Sequence, residues 1–273
     1  MEQNIKIHVF HTGEVGVDPA VPFRDVSKNP IAYTGLFRSP KRRIWLPVSA
    51  YLIEHPKGLV LIDTGWHHEV RVNQKKHMTW KLNLASKARL PMGEAIDEQL
   101  QALGIKPKDL EYVFLSHLDV DHVSGVQLVK EAKNILTSKE ELEAAIKGDI
   151  RYAKSLWNDV NLQSFEMQPS ATGPFGRSYD VFGDGTVVLV DIAGHTKGMS
   201  ATLVQNNGKF VLLTGDCGYA KDSWEKIRLP GPLYDKERMK ETLEWVREMS
   251  QKEGCVEILA THDPEVKPHV ITI

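Results

Sequence analysis

His117, Asp119, Asp121, His122, His195, Asp216 and His262 are widely spaced along the chain, yet together they can hold two metal ions. The densest part is Ser116-His117-Leu118-Asp119-Val120-Asp121-His122. Imidazole nitrogens and carboxylate oxygens are the donors that bind divalent first-row metals. Several carboxylates crowded into one short turn are costly to bury unless something neutralises them. A pair of metal ions would do so.

The elements that must position these side chains can be read from the apolar runs beside them. The dense motif follows Tyr112-Val113-Phe114-Leu115, which reads as a buried strand. His195 follows the run Val187–Ile192 through Ala193-Gly194, and Asp216 follows Phe210–Thr214 through Gly215. His262 follows Val256–Ala260. Every candidate therefore sits at a strand end or in the turn after one. Strand ends can gather on one edge of a sandwich, where rigid elements hold a site best.

The remaining pattern fits that frame. Ile5–His11 reads as a first strand. Residues Pro19 to Pro47 lack periodicity and read as a long surface loop carrying Phe23, Phe37 and Trp45. Strands are expected over Val48–Ile53 and Leu59–Ile62, joined by His55-Pro56-Lys57-Gly58. Trp66 to Met92 is basic with scattered apolar residues, and reads as a cap insertion over the body. Ile96, Leu100 and Leu103 recur at helical spacing before Gly104. Ser138 and Glu141 form a capping-box pattern opening a helix through Ile146. Gly183-Asp184-Gly185 and Asn206-Asn207-Gly208 are hairpin turns, and Met239, Leu243, Val246 and Met249 mark an amphipathic helix. The fold class expected is α/β, with two sheets face to face and helices outside.

A chain of 273 residues is ample for a sizeable core, and one domain over 1–273 is expected, with the cap at 66–92. A net charge of −2 argues against a nucleic-acid partner or an acidic tail. No apolar run approaches membrane-spanning length, so no membrane partner is expected. The opening Met1-Glu2-Gln3-Asn4-Ile5-Lys6 lacks the pattern of a signal peptide. Cys217 and Cys255 have no metal-type spacing and read as reduced core thiols, so a cytoplasmic location is expected.

The chain resembles the metallo-β-lactamase superfamily of hydrolases, whose hallmark is His-x-His-x-Asp-His. Within it, the chain is most similar to the N-acyl homoserine lactonases. The resemblance rests on Leu46-Pro47-Val48 through Asp63-Thr64-Gly65, the motif at 116–122, Gly194-His195-Thr196-Lys197-Gly198, Gly215-Asp216-Cys217-Gly218-Tyr219-Ala220-Lys221 and Thr261-His262-Asp263. It implies a four-layer αββα sandwich. It implies one metal held by His117, residue 119 and His195, a second by Asp121, His122 and His262, and Asp216 bridging them. A metal-bound hydroxide would then open a lactone ring, a quorum-quenching reaction. By the same resemblance Tyr219 hydrogen-bonds the substrate carbonyl or the oxyanion, Asp121 passes a proton to the leaving alkoxide, and Asp63 orients a ligand.

One position departs from the hallmark: Asp119 stands where the second His is expected. Carboxylate is harder than imidazole and adds negative charge, which favours oxygen-loving metals. Zinc is the metal the resemblance implies, with iron or manganese admitted by Asp119. The shorter side chain could leave the first position weak, or Asp119 could cap the following helix instead. Flavodiiron proteins carry an acidic residue there, so a di-iron redox protein is one rival; a metal-binding protein without turnover is another. A hydrolase of another lactone, a thioester or a phosphodiester is the nearer alternative, because fold does not decide substrate. His67, His68 and His77 suit surface or pocket roles better than ligation. Phe23, Phe37, Trp66, Met78, Trp80 and Leu82 could line an acyl-chain pocket or pack the cap, and the Trp80 and Leu84 region could serve a homodimer.

Overall fold

Strands buried on both faces must be apolar along their whole length, and the computed structural model shows where this happens. It describes residues 4–148 and 151–273; the first three residues of the opening stretch lie outside them. In chain order the first sheet takes β1 (Lys6–Val17), β2 (Ile44–His55), β3 (Gly58–Ile62), β4 (Lys87–Arg89), β5 (Leu110–Phe114), β6 (Ile135–Ser138) and β7 (Leu162–Phe165). The second takes β8 (Gln168–Pro169), β9 (Arg177–Asp180), β10 (Val187–Asp191), β11 (Ser200–Asn206), β12 (Lys209–Leu213) and β13 (Cys255–Leu259). A last strand, β14 (His269–Thr272), returns to pair with β1. The sheet orders are β14-β1-β2-β3-β5-β6-β7, with β4 also on β1, and β13-β12-β11-β10-β9-β8.

Side chains alternate across each strand, so a single strand feeds two cores. Tyr51 and Ile53 of β2, Val60 and Ile62 of β3 and Val187 and Leu189 of β10 pack together between the sheets. Ala50, Leu52 and Leu61 turn the other way, toward Ile96 and Leu100 of helix α3. Val188 and Val190 face Met239, Leu243 and Val246 of helix α7. Helices therefore cover both outer faces, which is the expected four-layer sandwich. The helices are α1 (Glu69–His77), α2 (Trp80–Ala85), α3 (Ile96–Ala102), α4 (Val120–Val123), α5 (Lys139–Lys147), α6 (Lys221–Glu225) and α7 (Lys236–Gln251). No helix among the described residues is long and apolar enough to cross a membrane.

Two expectations need correction. The long loop is shorter than its composition suggests: β1 runs on to Val17 and β2 begins at Ile44, pairing Gly16 with Trp45. Trp45 is thus a strand residue, its ring packed over Gly16 and under the Arg89 guanidinium, 3.4 Å from the ring centre. A bulge between His11 and Glu14 hid this continuation, because it breaks the alternation. The segment 66–92 is also more than a cover. Trp66, Val70, Met78 and Leu90 are buried in the core beneath α3, and β4 is a strand of the sheet. In the same segment Trp80 is 72% exposed.

Candidate metal centre

The site lies where β3, β5, β10, β12 and β13 end. The segment after β5 is held in place from two sides. Glu141 of α5, fully buried, accepts hydrogen bonds from the Leu118 N–H (3.0 Å) and the Gly198 N–H (3.0 Å). It thereby ties the dense motif to the loop carrying His195. The helix does open at Ser138, whose hydroxyl accepts from the Glu141 N–H. The glycine at 198 is required: a Cβ there would lie 2.2 Å from the Glu141 nitrogen. Beneath the motif, Thr64 donates from its hydroxyl to the His122 carbonyl at 2.7 Å.

All four histidines are oriented from behind. His122 Nδ1 lies 2.8 Å from Asp63 Oδ2, His262 Nδ1 lies 2.7 Å from the Pro47 carbonyl, and His195 Nδ1 lies 3.1 Å from the Pro232 carbonyl. These partners only accept, so each Nδ1 carries the proton. Ser116 Oγ donates to Asp63 Oδ2 and so accepts from His117 Nδ1 at 3.1 Å. Every Nε2 lone pair is left facing inward, as happens when a hydrogen bond to Nδ1 fixes the ring of a metal-ligating histidine.

Two clusters result. His117, His195 and Asp216 offer ligand atoms all within 4.8 Å of one another, as do Asp121, His122 and His262. Asp216 also reaches the second cluster, its Oδ1 lying 3.1 Å from His122 Nε2 and 3.2 Å from His262 Nε2. The atoms His117 Nε2, His122 Nε2 and Asp216 Oδ1 are buried without a hydrogen-bond partner. Buried polar atoms are almost always satisfied, so three orphans converging on one place fit a group that is to be coordinated. The residues present suit metal ions.

Asp119 stands at the N-cap of α4, but its side chain makes no capping bond. Its Oδ2 lies 3.1 Å from His195 Nε2 and 3.5 Å from His117 Nε2. Its other contact went unforeseen. Arg151 grips the carboxylate through Nε to Oδ1 at 2.5 Å and Nη2 to Oδ2 at 2.6 Å. Burial alone would raise the Asp119 pKa, but the Arg151 charge and hydrogen bonds outweigh it and hold the carboxyl well below its usual range. Burial, and then the same guanidinium, push the His195 pKa down to about 4. No motif surrounds Arg151, so spacing could not have singled it out.

Tyr219 is 4% exposed, stacks on His262 and donates its hydroxyl to Asp216 Oδ2 at 2.8 Å. Cys217 is a buried packing residue whose thiol is pushed up to about 12 by burial. Lys221 is exposed and pairs with Glu225 at 3.3 Å. The other histidines stay away from the clusters. His77 Nε2 meets Ser124 Oγ at 2.7 Å with its ring stacked on His67, and His68 pairs with Asp97 at 2.9 Å.

The centre opens into a cavity of about 670 Å³ with Asp119, Asp121, Arg151, Asp216, Tyr219 and His262 on its floor. Val15 and Val17 of β1, Leu36, Trp80 and Leu82 form much of its apolar wall. Of the six suggested pocket residues, Trp80 and Leu82 line it, whereas Trp66 and Met78 are core. Phe23 sits under the Arg228 guanidinium, and Phe37 is 92% exposed, with a left-handed φ of 57°.

A model of the metallo-beta-lactamase superfamily matches residues 43–261. The chain belongs to that superfamily. Among relatives in it, N-acyl homoserine lactonase AttM of Agrobacterium fabrum is 30% identical over 228 residues, covering 81% of this chain and 83% of that protein. N-acyl homoserine lactonase AiiB of the same organism is 27% identical, covering 95% of this chain and 94% of its own. A solved N-acyl homoserine lactone hydrolase, with N-hexanoyl-L-homoserine bound at its catalytic metal centre, has the same fold. Its TM-score is 0.76 at 24% identity, covering 95% of this chain and 94% of that one. The superfamily, its sandwich fold and the hydrolase class expected from the sequence are all borne out.

Proposed function

We propose that this chain is a metal-dependent lactonase that opens the ring of an N-acyl homoserine lactone. The observation that carries this reading is the cavity: an apolar wall, suited to an acyl chain, ends on three carboxylates, the His262 imidazole, the Arg151 guanidinium and a buried tyrosine. The similarity to AttM and AiiB supports the substrate class. In this reading His117, Asp119 and His195 would hold a first divalent ion and Asp121, His122 and His262 a second, with Asp216 within reach of both clusters. Zinc suits such donors, and Asp119 extends the choice to iron or manganese. Ions bound there supply a water acidified to near neutral pH and a polarised lactone carbonyl.

The chain's own groups do the rest. The apolar wall takes the acyl chain and excludes bulk water, which strengthens every charge interaction at the floor. Tyr219 redirects its hydroxyl from Asp216 Oδ2 to the oxyanion that develops on the carbonyl. Asp121 carries a proton to the ring oxygen as it leaves. Asp63 keeps the His122 ring in place through Nδ1.

The test is proton release from N-hexanoyl and N-decanoyl homoserine lactones, using protein loaded in turn with zinc, manganese and iron. Ring opening that disappears in Asp216→Asn is the expected result. No proton release from fully metallated protein would sink the lactonase reading and turn the search to thioesters and phosphodiesters.

A further inference from the structure

The two clusters are not equivalent. In the second, no arginine or lysine pairs with Asp121 or His262 among the described residues. In the first, His117 Nε2 is orphaned, but a permanent cation holds the other two side chains, Asp119 and His195. Arg151 binds both oxygens of Asp119, at 2.5 and 2.6 Å. Its Nη1 donates to the His195 carbonyl at 2.8 Å, and its Nη2 lies against His195 Nε2. The guanidinium thus sits on Asp119 Oδ2 and His195 Nε2, the two donors, 3.1 Å apart, that a first ion would share. The pair is shielded: the side chains of Asp119 and Arg151 are only 18% and 20% exposed.

We propose that Arg151 is a built-in competitor for the first metal ion, so that guanidinium and ion are alternative occupants of the Asp119–His195 pair. The inference rests on the two-ion reading above. Two cations cannot share one carboxylate at contact distance without strong repulsion in a shielded site. An ion entering the first position must therefore break a bidentate, charge-assisted pair. The second position carries no such toll, so it fills first and holds tighter. Asp119 in place of histidine and Arg151 opposite it form one device: the carboxylate supplies the anchor that an imidazole would deny the guanidinium.

The experiment is metal titration of the full-length protein after chelator treatment, by calorimetry with zinc, together with metal content after gel filtration. Wild type is expected to bind two ions in separate steps differing by about 100-fold, the scale of breaking a shielded pair, and to retain one ion through the column. Arg151→Met is expected to bring the two steps close together and retain two ions. Arg151→Lys, which keeps a charge but cannot grip both oxygens, should fall between them and serves as the probe if the methionine variant does not fold. Two equal steps in wild type, or an unchanged ratio in the variants, would overturn the proposal, as would a second ion that binds neither protein. Failure of the lactonase reading would appear only in ring opening and would leave these stoichiometries as they are.

Discussion

Asp63 holds His122 from behind, with Oδ2 2.8 Å from Nδ1, while its Oδ1 accepts the Ser116 N–H at 2.8 Å. The backbone of Asp63 is left-handed, with φ of 60°, a conformation few non-glycine residues adopt. The strain is held by what surrounds it, because the Asp63 N–H also donates to the Phe114 carbonyl at 2.9 Å. One carboxylate thereby joins the end of β3 to the end of β5 and orients a ring at the second cluster.

Asp63→Asn tests that coupling. The shape is kept, but the charge that fixes the His122 tautomer is lost. Metal affinity at the tighter position should fall about 10- to 100-fold, the usual cost of losing the carboxylate that orients a ligating histidine. Competition with a chromophoric chelator measures this directly, and unchanged affinity would show that the ring is oriented by packing alone.

The four-layer order and the gathering of the seven candidate ligands were legible because β10 and β12 are buried, continuous apolar runs that stand out in sequence, whereas β13, before His262, is mostly apolar but half-exposed and carries Glu257. What could not be read depends on contacts distant in sequence. Arg151 reaches Asp119 across 32 positions, and Glu141, which the sequence presents only as half of a capping box, spends its carboxylate on Leu118 and Gly198. The extension of β1 to Val17 was masked by a bulge, yet it supplies Val15 and Val17 to the cavity wall. The strands β6, β7 and β14 are short, and their alternation is too brief to separate from loop. Local periodicity reports which face a residue takes; it carries nothing about which distant side chain will meet it.

Tyr219→Phe should leave the fold and the metal content unchanged, because the ring keeps its stacking on His262 at 5.0 Å between centres. It removes the hydroxyl that donates to Asp216 Oδ2. With lactone as substrate, kcat should fall about 100-fold with little change in KM, as for loss of a single oxyanion donor. A rise in KM alone, with kcat intact, would remove Tyr219 from the chemical step.

His77 gives the protein a pH dependence apart from the clusters. Burial, and then the neighbouring His67, lower its pKa to about 4 from the ordinary 6.5. The unfolded chain therefore takes up a proton near pH 6.5 that the folded chain refuses until about pH 4. The stability owed to neutral His77 is fully present above pH 6.5 and is lost progressively as pH falls toward 4. Melting temperature recorded between pH 7.5 and 4.5 should drop more steeply in wild type than in His77→Gln. Parallel curves would place the acid sensitivity elsewhere.

Trp80 is the residue through which chain length should be read. It is 72% exposed, belongs to α2 and lines the same cavity as Asp119, Asp121 and Asp216. A short acyl chain attached at the floor would not extend to it, whereas a long one would cover its ring and remove apolar surface from water. Full burial of a side chain this large contributes about 2–3 kcal/mol, and contact on one face contributes less. Trp80→Ala should therefore raise KM for N-decanoyl homoserine lactone about 10-fold and leave that for the N-hexanoyl compound near its wild-type value, with kcat preserved for both. An equal rise for the two substrates would mean that Trp80 orders the α2 segment as a whole and does not contact the chain, and crystals grown with the long-chain product would then show its tail leaving by another wall.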